Sequence, residues 1–464
     1  MKPEAALDPK RITVVGASNR PTNAGLSFVR ALRAAAYAGE LTVLNRDGET
    51  VEGAAGHASW ADLTVPPDLA IIAVPAALAV DAVRDAARAG IPAVHLFTGG
   101  FAERQTPEGA RAQRELAEIA NQAGMVLIGP NGMGMYRPRA GLAFRSDQPM
   151  LDGPVALVSQ SGGVAIPVIH QLAAHGVGIA TAVSYGNGAQ LAGGFWAEVV
   201  ARPAEAAVLG VYVESANEPD LADRLAVVAE HTPVVLFVGP GDDAARAIAR
   251  RHTGSPGGDI REDRWPAGVL PVTSLEHMVA GLEWFAVRRR SPAPPRVAVV
   301  TISGGIGVMA ATALAAASVP MATISERSQE AIHAISPRAL LSAANPVDLG
   351  AAYLSRKLIG GVLETLRADP GVDLTLFHLM WDHIRDVDRT VPGYAERYLQ
   401  LLIDHAAGDA DLAIYFPRVV DDDFERAVRQ KLRRAGLPIV ETLDVAATVL
   451  SPSANTMPSA LTPA

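Results

Sequence analysis

Three times along this chain an apolar run ends in small and hydroxyl-bearing residues and then passes into a helix-spaced stretch. The junctions are Val15-Gly16-Ala17-Ser18, Val158-Ser159-Gln160-Ser161-Gly162-Gly163 and Ile302-Ser303-Gly304-Gly305-Ile306-Gly307. Apolar runs without polar alternation mark strands buried on both faces, as in parallel sheets covered by helices. Further runs fall at 41–44, 69–74, 93–97 and 125–128, then at 179–183, 208–213 and 234–238, then at 374–377, 412–416 and 439–441. Helical spacing separates them, as in Leu26, Val29, Leu32 and Ala35. The 464 residues exceed what one core usually supports. Half of them are apolar and few are aromatic, which favours helix-on-sheet layers over a sandwich. An α/β chain of consecutive doubly wound parallel sheets is expected, with ligands at the carboxyl ends of the strands.

The formal net charge of -9 repels a phosphate backbone in bulk and argues against a nucleic-acid partner. Any bound anion must be held locally. Cysteine is absent, which excludes thiolate catalysis, disulfides and cysteine-ligated metals; no metal site is assigned. The N-terminus carries Glu4 early and no apolar run before the first strand, unlike a signal peptide. No stretch reaches the roughly twenty apolar residues of a membrane span, so a cytoplasmic protein without membrane contact is expected.

Small and polar residues gather at the carboxyl ends of the first strands: Gly16, Ala17 and Ser18; Asn45 and Arg46; Val74 and Pro75; Thr98, Gly99 and Gly100; Gly129-Pro130-Asn131. Any one such turn merely ends a strand, but five at one edge suit a nucleotide-like ligand, with helix N-termini for its phosphates. An NAD site prefers a G-x-G-x-x-G turn and an acid ending the second strand. Here the turn reads Gly16-Ala17-Ser18-Asn19-Arg20 and the second strand ends in Asn45-Arg46, which counts against NAD. These motifs, with Thr98-Gly99-Gly100-Phe101-Ala102-Glu103, resemble the CoA-binding domain of the NDP-forming acyl-CoA synthetases, relatives of the succinyl-CoA synthetase α subunit. The resemblance implies coenzyme A as the nucleotide substrate. The family usually carries Cys after Gly-Pro-Asn, where this chain has Gly132.

In the second segment, Ser159, Gln160, Ser161, Gly162 and Gly163 form an anion nest or a plain helix cap. A nucleophilic Ser159 or Ser161 is disfavoured, since the string is no G-x-S-x-G elbow. Ser184-Tyr185-Gly186-Asn187 and Glu214 end later strands, and Arg250-Arg251-His252-Thr253-Gly254-Ser255 follows. On its own string His252 is a solvated loop histidine. The resembled family has a Ser-Gln-Ser-Gly-Gly helix start, a Ser-x-Gly-Asn turn, a strand-end Glu and a His-Thr-Gly-Ser-like loop in this order. It continues through Ser303, Gly304, Gly305, Gly307 and Asn345-Pro346-Val347-Asp348, so it covers nearly the whole chain.

The resemblance implies a Rossmann-like CoA-binding domain over 1–150, a phosphohistidine-bearing flavodoxin-like domain over 151–287, and a second flavodoxin-like domain over 297–450. A proline-rich basic linker fills 288–296 and a disordered tail 451–464. It implies an α subunit whose His252 carries a phosphoryl group, with Glu214 on the second ring nitrogen and the two Gly-rich helix starts holding the dianion. The substrates implied are a small carboxylic acid, phosphate and CoA. Neither an ATP-grasp domain nor a P-loop is found; some members of the resembled family place them on a separate β subunit, so the resemblance implies an ATP-grasp partner that holds ATP, ADP and Mg, in a hetero-oligomer or dimer. Departures at Val238-Gly239-Pro240-Gly241, Gly188-Ala189-Gln190-Leu191 and Ser255-Pro256-Gly257-Gly258 keep an alternative open. In it the chain is a catalytically altered CoA-binding or regulatory homologue without phosphoryl transfer.

Overall fold

The computed structural model describes residues 3–215, 218, 220–239, 265–288, 293–335, 341–406, 411–418 and 422–452. The chain forms two units, Met1–Met278 and Val279–Ala464. Two sheets lie in the first and one in the second.

The first sheet comprises β1 (Arg11–Val15), β2 (Glu40–Leu44), β3 (Ala55–His57), β4 (Leu69–Ile72), β5 (Ala93–Leu96) and β6 (Val126–Ile128). All its pairs are parallel, in the order β3-β2-β1-β4-β5-β6. The order reverses at β1 and β4, which opens a crevice at their carboxyl ends. Helices cover both faces because the strands bury side chains on both: Val14 and Ile71 point to one cluster, Val15 and Ile72 to the other.

The second sheet holds β7 (Gly134–Tyr136), β8 (Val155–Ser159), β9 (Ile179–Ser184), β10 (Val208–Val213), β11 (Val234–Val238) and β12 (Val269–Val272), in the order β12-β11-β10-β8-β9-β7. β8 to β12 are parallel in flavodoxin order, with the switch between β8 and β10. β7 pairs antiparallel with β9, so the chain crosses to this sheet before residue 150. The short link from β6 leaves no room for the crossover helix a parallel return needs. Arg137, buried just beyond β7, fixes it in place: its guanidinium donates to Thr181 Oγ1 at 2.6 Å and to Glu205 at 2.8 and 3.2 Å.

In the second unit β13 (Val297–Thr301), β14 (Val347–Asp348), β15 (Leu374–His378), β16 (Leu412–Tyr415) and β17 (Ile439–Val440) run parallel in the order β14-β13-β15-β16-β17. This is again flavodoxin order. Three doubly wound parallel-sheet layers are thus present, as the alternation of strands and helices predicts. Among the described residues no helix is long and apolar enough to cross a membrane.

Candidate active site

At the first switch point the turn after β1 is built by Asn23 as much as by its glycine. Asn23 Oδ1 accepts from Ser18 N–H at 3.1 Å and from Leu26 N–H at 2.8 Å, and its Nδ2 donates to Gly16 O at 3.0 Å. It thereby caps the helix Ala24–Ala34 and folds the turn back on itself. Gly16 has φ +87°, and a Cβ there would meet Ala73 O and Val74 Cγ1 at 2.8 Å, so only glycine fits. Asn45 closes its own loop, with Oδ1 and Nδ2 on the backbone of Glu49, while Arg46 is exposed. Pro75 precedes the helix Ala76–Arg88, and Thr98 Oγ1 donates to Val74 O at 2.6 Å. The residues expected around a nucleotide therefore line one sheet edge, several of them tied to one another.

At the second switch point the turn after β8 leads into the helix Gly162–Ala174, with Ser161 at its N-cap in extended conformation. Ser159 is fully buried; its hydroxyl donates to Ser161 O at 2.7 Å and accepts from Ser161 N–H at 3.3 Å. It shapes the turn and is taken up by it. Among the described residues the N–H groups of Gly162 and Gly163 have no partner. Such orphan donors, with the helix dipole behind them, attract an anion. Gln160 bridges to the other lip of the crevice, its Oε1 accepting from Glu214 N–H at 2.8 Å. Glu214 is buried just past β10, only 5% exposed.

Nest and carboxylate face one cavity of about 380 Å³. Gln160, Ser161, Gly162, Gly163, Ile166 and Glu214 line it from the second sheet, with Gly186 and Asn187 from the turn after β9. Phe97, Gly99, Asn131, Gly132 and Met133 come from the edge of the first sheet. The loop after β5 and the helix start after β8 thus share a wall. Gly132 makes that approach possible, since a Cβ there would meet Ser184 O at 2.5 Å and Gly186 N at 2.9 Å. Beneath it His95 is buried, and its Nε2 donates to Gly132 O at 2.8 Å. Burial lowers the His95 pKa to about 4, the bond to Gly132 opposing it, so this imidazole is a neutral strut.

Residues 10–138 match the CoA binding domain family and residues 152–285 the succinyl-CoA ligase like flavodoxin domain family. The α subunit of acetate–CoA ligase [ADP-forming] II from Pyrococcus furiosus is 28% identical over 446 residues, 94% of this chain and 93% of that one. Along nearly its whole length the chain is thus similar to the α subunit of an ADP-forming acyl-CoA ligase. Acetate–CoA ligase [ADP-forming] I from Archaeoglobus fulgidus is 30% identical over 379 residues, but this chain spans only 54% of its length. In fold the chain is similar to a dinucleotide-forming acetyl-coenzyme A synthetase 1 of Ca. Korarchaeum cryptofilum, with a TM-score of 0.83, 22% identity and coverage of 97% and 96% of the two chains.

Within this acyl-CoA synthetase homologue the third nest repeats the second in its hydroxyl chemistry. Thr301 Oγ1 donates to Ser303 O at 3.4 Å and accepts from Ser303 N–H at 3.1 Å, and the helix Gly304–Ala316 follows. Gly304 lies beside the Asp348 carboxylate, and Gly307 packs on Pro346. Asn345 is structural, bonded to the backbone of Val297, Val299 and Ala322. His252, with Arg250, Arg251 and the rest of its loop, lies outside the described residues. Sequence reasoning missed Asn23, His95 and Glu218. Glu218 accepts from Tyr185 Oη at 2.9 Å and Gly194 N–H at 3.0 Å, and desolvation raises its pKa. An asparagine just ahead of a helix is a readable cap signal; the other two are defined by partners distant in sequence.

Proposed function

We propose that the chain is the α subunit of an NDP-forming acyl-CoA ligase, interconverting acyl-CoA plus phosphate with a carboxylic acid plus CoA through a phosphohistidine at His252. The observation that carries this reading is the single cavity where the CoA-side loop, two unpartnered helix-start N–H groups and Glu214 meet. In the direction of acid release a phosphate oxygen attacks the thioester carbonyl. The C–S bond breaks, CoA leaves as the thiolate and takes up a proton, and an acyl phosphate results. A neutral ring nitrogen of His252 then attacks phosphorus, the bond from phosphorus to the acyl oxygen breaks, and the carboxylate departs. The phosphoryl group finally passes to a nucleoside diphosphate on an ATP-grasp partner, which holds Mg and the nucleotide.

In this scheme the Gly162 and Gly163 N–H groups hold the transferring anion without reorganising. Glu214 accepts the other ring N–H of His252, selecting the tautomer and stabilising the charged ring. The names of the relatives support an acyl-CoA substrate and ADP. The partner is supported by the words subunit alpha in one relative's name and by a longer relative, of which this chain spans about half. A cytoplasmic hetero-oligomer fits this composition.

Given a competent partner and γ-labelled ATP, the chain takes up acid-labile, base-stable label, and His252→Ala abolishes it. Wild-type chain that stays unlabelled in that mixture would overturn the proposal. A second reading, a CoA-binding homologue without phosphoryl transfer, is favoured by Gln190, which stands where the resembled family carries acids. Its side chain is committed to architecture, bonded to Leu127 N–H, Met125 O and Asn121. CoA binding without label would select that reading.

A further inference from the structure

Glu103 turns its carboxylate back over its own loop and then reaches across to the other sheet. It accepts from Gly100 N–H, from Phe101 N–H at 3.1 Å and from Asn187 Nδ2 at 2.6 Å. Asn187 extends the link in three further directions. Its Nδ2 also donates to Gln113 Oε1 at 2.9 Å, an oxygen that accepts Ala102 N–H at 3.2 Å as well. Its Oδ1 accepts from Asn131 Nδ2 at 3.3 Å, and its N–H donates to Pro130 O at 2.9 Å. Gly99, Asn131, Gly186 and Asn187 all line the cavity that holds the nest and Glu214. The network therefore joins the CoA-side wall to the wall contributed by the second sheet.

Only an anion satisfies this arrangement, because every group that meets Glu103 here is a donor. Hydrogen bonds to a charged acceptor are short and strong, and they fix orientation as well as distance. Burial alone would raise the pKa of Glu103, yet the donated bonds outweigh it and hold the group below the usual carboxylate range. Replacing it with glutamine turns an NH2 toward donors and releases one wall from the other.

We infer that Glu103 is a positioning residue of the reaction: through Asn187 it holds the Thr98-Gly99-Gly100 loop against the Tyr185-Gly186-Asn187 turn, and so sets where the CoA thiol meets the phosphate nest. It touches no reacting atom. The inference rests on the ligase reading for its kinetic consequence, and on the shared cavity alone for its effect on CoA binding.

The test uses the full chain with its ATP-grasp partner and compares Glu103→Gln, Asn187→Asp and the double variant. In the double variant the amide at 103 donates to the carboxylate at 187, which restores the link with its polarity reversed. Glu103→Gln is expected to raise KM for CoA about tenfold, to lower label uptake from ATP far less, and to be partly rescued in the double variant. An unchanged KM for CoA, an equal loss in both steps, or additive effects in the double variant overturns the inference, since a merely structural role predicts uniform loss without rescue. Calorimetry with CoA alone separates the two proposals. Should wild type take no label, the ligase reading fails, while about tenfold weaker CoA binding by Glu103→Gln still supports the coupling, and equal binding refutes it.

Discussion

Gly132 offers the sharpest test of the geometry, because this chain has glycine where the resembled family usually has cysteine. In Gly132→Ala the new Cβ would stand 2.5 Å from Ser184 O, 2.9 Å from Gly186 N and 3.0 Å from Tyr185 C. The nearest of these is about 1 Å inside ordinary contact, and all three are backbone atoms that cannot rotate away. Gly132 is not among the positive-φ residues, so the cost is steric and not dihedral. Overpacking of this kind costs about 1–3 kcal/mol, which for a unit of this size lowers Tm by roughly 2–10 °C. The displaced backbone is the turn that carries Asn187, so KM for CoA should rise as well. Gly163→Ala is the control, since its Cβ meets only Ser161 Oγ, at 3.5 Å; it should leave the first unit's Tm unchanged or raise it by about 1–3 °C. Scanning calorimetry of both variants decides. Gly132→Ala melting within a degree of wild type would mean that the two sheet edges yield to one another, and the argument for a closely set shared wall would fail.

Acid sensitivity should trace in part to His95. Its folded pKa of about 4 lies below the unfolded value, so the unfolded chain binds the proton first as pH falls. Its contribution is intact above about pH 6.5 and is lost toward pH 4, up to about 3 kcal/mol; melting His95→Gln at about pH 7.5 and pH 5 should show a smaller drop than in wild type. Glu283→Ala leaves the buried Arg433 guanidinium without its 2.9 Å partner, with Glu441 remaining at 3.5 Å. It should cost the second unit about 3 kcal/mol in urea unfolding and leave the transition of the first unit in place. Gln160→Ala removes the acceptor of Glu214 N–H, and label uptake should slow about tenfold; an unchanged rate would mean that the carboxylate is positioned otherwise.

The strands legible in the sequence are those buried on both faces, because continuous Val, Ile and Leu runs leave no other reading. β3, β7, β12 and β14 were not legible. Ala55-Gly56-His57 and Gly134-Met135-Tyr136 carry no apolar run, and β14 has two residues. β12 contains Pro271, which normally argues against a strand. Here it is tolerated because, among the described residues, β12 is an edge strand paired with β11 alone. At the site the turns were legible through glycine and hydroxyl residues, but the division of labour within them was not. Ser159 looks like a ligand for an anion, yet its hydroxyl is consumed by Ser161. Glu103 lies 84 residues from Asn187, and no local pattern announces that pairing.

The two nests share one hydroxyl device but differ in the residue across the crevice. In the second sheet the strand beyond the switch point, β10, is followed by Glu214, an anion set opposite orphan N–H donors. In the third sheet the strand at the same place, β15, ends in His378, buried against Tyr415 with a ring separation of 5.0 Å. The Thr301 hydroxyl lies 3.1 Å from its Nδ1, and desolvation lowers its pKa to about 4, so it is neutral there. The third nest nonetheless meets a carboxylate of its own, since Asp348 lies beside Gly304. A nest facing a carboxylate discriminates, because a free phosphate also meets repulsion, whereas a phosphoryl group carried on a charged imidazole brings its own cation for that carboxylate. On the proposed mechanism, Glu214→Gln should therefore weaken the phosphorylated state of the chain more than it weakens binding of free phosphate. A measured ratio of phosphohistidine to free chain that stays at the wild-type value would remove Glu214 from that role.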